Sequence, residues 1–148
     1  MWTASVTQTL AVSAYALGGA SLAGEAIVHL QQYFDLFHQV RWIGPLFLCN
    51  AVACLAAVAG LALPQTRRPA ALLGIVISVV ALGSLVISYG HGLFGWQETG
   101  LRTPIVLVLV FEVAAVVFLA AGLAARPAQL RRRSRPATAA PATSISTP

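Results

Sequence analysis

The chain has 148 residues, of which 58% are hydrophobic and 9% charged, with a formal net charge of +5. Roughly a quarter of the residues of a soluble domain are charged, so this composition excludes an ordinary water-soluble globule and commits most of the chain to a bilayer. The positive excess is not a nucleic-acid face, because the nine basic residues are all Arg and five of them follow Ala125, where a membrane protein carries the charges that orient it.

The first apolar segment covers about 9–33 and is long enough to cross a bilayer. Ala11, Ala14, Gly18 and Ser21 make a stripe of small residues that continues into Glu25 and His29. The last two lie four residues apart, hence on one helical face. Ser21 and Ala23 resemble a signal-peptidase site, but no Lys or Arg precedes the segment, so cleavage is not expected.

The second segment, 42–63, carries Cys49, Asn50 and Cys54. The two cysteines are separated by about 140° around a helix, which argues against a disulfide and for packing roles. Gly60, Ala57 and Ala53 form its small-residue stripe and lead to Asn50. The third segment, 70–94, repeats the pattern with Gly74, Ser78, Ala81, Ser84 and Ser88, leading to His91. Close packing of helices in lipid depends on such stripes.

The fourth segment, 105–125, contains Glu112 as its one charged residue. A charge at membrane depth costs at least about 2.5 kcal/mol, so the carboxyl must face protein or water, and an intramembrane Glu is a functional hypothesis by default. Counted from the segment ends, Glu25, Asn50 and Glu112 each lie about eight residues, or about 12 Å, from the same side of the bilayer. They are expected to share a layer in the outer leaflet, with His29 and His91 nearer the surface. Asp35, His38, Gln97 and Glu98 are expected at its mouth.

The segment ends fix the expected topology. Arg67 and Arg68 lie between the second and third segments, and Arg126, Arg131, Arg132, Arg133 and Arg135 follow the fourth; only Arg41 and Arg102 oppose them. Such a bias places both termini in the cytoplasm. Residues 1–126 are thus expected to form an all-α, antiparallel, up-down four-helix transmembrane bundle. Residues 127–148 read as a disordered basic tail rich in Pro, Ala, Thr and Ser, whose Arg131, Arg132, Arg133 and Arg135 would meet anionic lipid headgroups.

His29-Leu30-Gln31-Gln32-Tyr33, Ile43 to Ala53, Gly92 to Glu98 and Phe111-Glu112-Val113-Ala114-Ala115 together resemble small four-span integral membrane proteins of actinobacteria, a group without an assigned activity. The resemblance implies location in the cytoplasmic membrane and a four-span topology. It implies no reaction, cofactor or substrate.

No nucleophile elbow, H-E-x-x-H motif, phosphate loop or C-x-x-C pair occurs, so neither catalysis nor a resident cofactor is expected. The residues support a non-enzymatic accessory or small-ligand-binding membrane protein that uses a polar cluster of Glu25, His29, Asn50, His91 and Glu112. One alternative is a proton- or cation-coupled transport component. Another is a haem or metal site fed by His29 and His91. A homo-oligomer or a larger membrane complex is open to all three.

Overall fold

A computed structural model describes residues 2–125, with side chains from Val6 onward. Four helices follow one another: α1 (Trp2–Gln32), α2 (Ile43–Ala62), α3 (Arg67–Gly90) and α4 (Thr103–Ala124). All four are long and apolar enough to cross a membrane. Among the described residues there is no strand, and the only bridge-like pairing is a turn between Leu93 and Trp96.

Each boundary has a local cause. α3 starts three residues before the apolar run, at Arg67, because Pro69 falls in the first turn, where its missing N–H would have no partner anyway. Pro104 occupies the same kind of position in α4. The end of α2 is tied to the start of α3: Thr66 Oγ1 donates to the carbonyl of Gly60 at 2.7 Å, and Arg67 Nε donates to that of Leu61 at 3.0 Å. Both bonds satisfy carbonyls left open in the last turn of α2. α3 stops at Gly90, and Gly92, Phe94 and Gly95 then take positive φ values of 77°, 49° and 84°. Left-handed conformations at both Phe94 and Gly95 make a tight reversal, closed by two backbone hydrogen bonds between Leu93 and Trp96 at 2.7 and 2.9 Å.

α1 passes directly into one π-helical turn, Tyr33–Phe37, in which the His38 amide reaches the Tyr33 carbonyl at 2.8 Å. The wider turn brings Phe37 into the bundle, where it is 2% exposed. Gly44 at the start of α2 lies against the Phe37 backbone carbonyl so closely that a Cβ would collide with it.

The helices pack as a ring, α1 beside α2 and α4, and α3 beside α2 and α4. Their inward positions advance by three and four residues: 43, 47, 50, 54, 57 and 61 on α2, 71, 74, 78, 81, 85 and 88 on α3, and 105, 108, 112, 115, 119 and 122 on α4. This is the seam of a coiled coil. The outward positions are large and apolar, among them Val52, Val79, Val86, Val110 and Val117. An apolar exterior on a bundle of this length is what a bilayer requires.

Within the bundle, close contacts are made by missing side chains. Gly18 lies under Leu119, Gly24 under Phe111, and Gly122 under Tyr15, so α1 and α4 approach along their length. Gly60 faces Ala70, and Gly74 accepts Leu22 and Leu119 together. Leu22, Cys54, Ala57, Ala71, Ala115 and Leu119, all fully buried, form the centre of this closed half.

Candidate functional site

Above that core the seam turns polar. Glu25 of α1 is fully buried and Glu112 of α4 is 2% exposed. Ser78 of α3, also fully buried, donates its hydroxyl to Glu25 Oε2 at 2.8 Å across the diagonal of the ring. On α2, the Cys54 thiol donates to Asn50 Oδ1 at 3.2 Å, and both residues stand beside the Glu25 carboxyl. Glu112, an inward position of α4, borders the same space as Asn50. All four helices therefore contribute to a single layer.

Hydrogen bonding in the layer is incomplete. Glu25 Oε1 and Glu112 Oε2 are buried without a hydrogen-bond partner. Buried polar atoms are nearly always paired, and leaving one unpaired costs about 1–3 kcal/mol. Two such atoms on neighbouring carboxyl groups mark a place where the fold has been left unsatisfied.

Directly beyond the layer lies a cavity of about 390 Å³, and Glu112 and Asn50 are on its wall. α2 contributes Phe47, Cys49 and Ala53; α3 contributes Val80, Ala81 and Ser84; α4 contributes Ile105 and Val108. The small residues that packed α3 against its neighbours in the closed half, Gly74 and Ser78, are followed on the same face by Ala81 and Ser84, which border open space.

One wall is aromatic. Phe37 and Phe47 have ring centroids 4.5 Å apart, Trp96 meets Phe37 edge-on at 5.0 Å, and the His29 ring lies 5.0 Å from Phe47. His29 Nδ1 is 3.0 Å from the backbone carbonyl of Glu25. A carbonyl only accepts, so Nδ1 carries the proton and Nε2 of the neutral ring is an acceptor. The expected Glu25 and His29 proximity is thus realised through backbone, not between side chains.

The far end of the cavity is covered by the α3–α4 connection. Glu98 Oε1 accepts from both Trp96 Nε1, at 3.0 Å, and Arg102 Nη2, at 2.7 Å. Tyr89 donates to the Gly100 carbonyl at 2.9 Å. Of the residues expected at the mouth, Glu98 lines the cavity, whereas Asp35, His38 and Gln97 do not; Trp96 and Arg102 do so in their place.

His91 is the expected site residue that the structure does not bring in. It is exposed, caps α3 after Gly90 and is absent from the cavity wall, because the chain leaves the helix just there. His29 and His91 therefore do not form a pair of imidazoles around the cavity. Among the described residues, no three His, Cys, Asp or Glu side chains are grouped to hold a metal ion. Arg131, Arg132, Arg133 and Arg135 lie outside the described residues.

Three participants were not legible as such in the sequence. Ser78 was one small residue in a stripe, Cys54 one of two packing thiols, and Gln32, buried on the cavity wall, one of two adjacent glutamines. The three-and-four spacing of the seam, carried through positions 54 and 78, pointed to the first two. Comparison with protein-family models, with characterised proteins and with solved structures finds no match to this chain.

Proposed function

We propose that this is a non-enzymatic membrane protein that holds a small ligand in the cavity beyond the Glu25, Ser78 and Glu112 layer. The observation that carries the proposal is Glu112: its side chain lines a cavity with room for a ligand, and its buried carboxyl keeps one oxygen without a partner among the described residues. Pockets that bind small molecules are largely apolar, with a few placed polar groups that fix orientation. This wall has that character.

In this reading the chain is an up-down bundle in the cytoplasmic membrane, with both termini inside and the cavity in the outer leaflet. The distribution of Arg supports that orientation, and Arg131, Arg132, Arg133 and Arg135 would rest on anionic headgroups. Reporter fusions after Arg68 and near Gln97 should give cytoplasmic and external signals respectively; the reverse would invert the bundle.

A proton- or cation-coupled transport component is the second reading, favoured by two buried carboxyls on facing helices, Glu25 and Glu112. The apolar stretch of Val80, Ile105 and Val108 offers little to a hydrated ion and favours a bound molecule instead.

The test is native mass spectrometry of the full-length protein extracted with its lipids, compared with Ala53→Phe, which adds bulk at the cavity wall and leaves both carboxyls in the sequence. A small molecule bound to the wild type and missing from the variant supports the proposal. Identical spectra, with no compound raising the thermal stability of the wild type alone, would remove it.

A further inference from the structure

We propose that the cavity takes a lipophilic ammonium ion, which enters from the bilayer between α2 and α3 and places an N–H group on Glu112. This rests on the small-ligand reading above and names the chemistry of the ligand.

The unsatisfied atoms define the head of the ligand. Among the described residues Glu112 Oε2 has no donor, and Glu25 Oε1 in the same layer has none either. Asn50 and His29 share the cavity wall, and with Nδ1 of His29 on the Glu25 carbonyl, Nε2 is its second ring nitrogen. Three of the four described Arg side chains are engaged elsewhere. Arg102 is bound to Glu98, Arg41 lies 5.2 Å over the Trp42 ring, and Arg67 donates to Leu61 and lies 5.8 Å over Tyr15. Among the described residues the two unpaired carboxyl oxygens thus lack both a donor and a positive charge; the Asn50 and Gln32 amides share the wall, and Arg102, also on it, is held by Glu98. An ammonium N–H supplies both, whereas an alcohol supplies a donor without charge and a carboxylate would repel.

The wall defines the body. Ile105, Val108, Val80 and Ala81 are apolar, and Phe37, Phe47 and Trp96 present aromatic rings. Aromatic faces attract an organic cation as well as its apolar frame. A hydrated inorganic ion would gain nothing from them.

The route follows from what is closed and what is not. At the loop end, Glu98 holds Trp96 and Arg102 together over the cavity. At the opposite end, Glu25, Ser78 and the packed core block passage. Between α2 and α3, however, cavity-lining residues are also surface residues: Leu46 is 47% exposed, Val76 58% and Val80 61%. These flanks face lipid, so a molecule already dissolved in the bilayer reaches Glu112 sideways.

The experiment uses the full-length protein in lipid nanodiscs, with tritiated adamantylamine as probe and adamantanol as its uncharged isostere. The amine should bind saturably, and adamantanol should compete at least tenfold more weakly. Glu112→Gln should weaken the amine at least tenfold and leave adamantanol unchanged, while Ala53→Phe should abolish both. Equal affinity of the two probes in the wild type overturns the ammonium assignment and leaves the small-ligand reading standing; that comparison needs no variant to fold. Binding of neither probe above empty nanodiscs overturns both.

Discussion

The two halves of the bundle use the same four helices and the same three-and-four seam, yet one is filled and the other is hollow. In the filled half the seam carries glycine where a neighbour carries leucine, as at Gly18 and Gly74 against Leu119. In the hollow half small residues line the space from two helices at once, Ala53 on α2 and Ala81 and Ser84 on α3, and the larger seam residues Phe47, Leu85 and Val108 stand around the cavity without filling it. Small residues bring membrane helices together only when something larger interlocks with them. Without that partner the same composition makes a cavity.

Adding bulk on α3 breaks this comparison most sharply. Gly74→Leu must displace Leu22 and Leu119, whose methyl groups lie 2.7 and 2.8 Å from the position of the new Cβ, and should cost about 3 kcal/mol. Ala81→Leu, seven residues on and on the same face, enters open space and should cost less than about 1 kcal/mol. Denaturant titration of both variants in the same detergent measures the difference; equal losses would mean that the cavity is not a void in the folded protein.

The boundary between the halves is next. Ser78→Ala removes the one donor to Glu25 Oε2, leaving that carboxyl without any hydrogen bond from a side-chain hydroxyl. The expected loss is about 1–3 kcal/mol, read by the same titration. A loss below about 0.5 kcal/mol would show that water enters the layer and satisfies Glu25.

A smaller effect is expected at the loop cover. Glu98→Gln weakens the grip on Arg102 and Trp96 at a partly exposed site, worth about 0.5 kcal/mol. Its signature is faster amide exchange at Trp96, with global stability almost unchanged. Unaltered exchange would mean that the left-handed turn at Phe94 and Gly95 holds the cover by itself.

The number and placement of the helices were legible because spans of about 20 apolar residues and prolines at their ends are one-dimensional signals. Glu25, Asn50 and Glu112 were legible as a layer because depth in a bilayer can be counted along a helix from its end. What could not be counted was azimuth near the ends. His91 lies at a suitable depth, but the helix stops at Gly90 and the ring is left outside. Phe37 reaches the cavity only because α1 ends in a π-helical turn, and a register change of one residue leaves no mark in apolar composition. The cavity itself was invisible, since a stripe of Ala and Ser reads the same whether a neighbour fills it or not.

The central claim is that Glu112 serves a ligand and not the fold, and the stability of Glu112→Met tests it most directly. Its Oε2 has no partner among the described residues, so an apolar side chain of similar length removes a buried polar cost and fills part of the wall. The variant should unfold at the same denaturant concentration as the wild type or at a higher one. A loss of more than about 2 kcal/mol would show that Glu112 holds the bundle together, and would contradict the account.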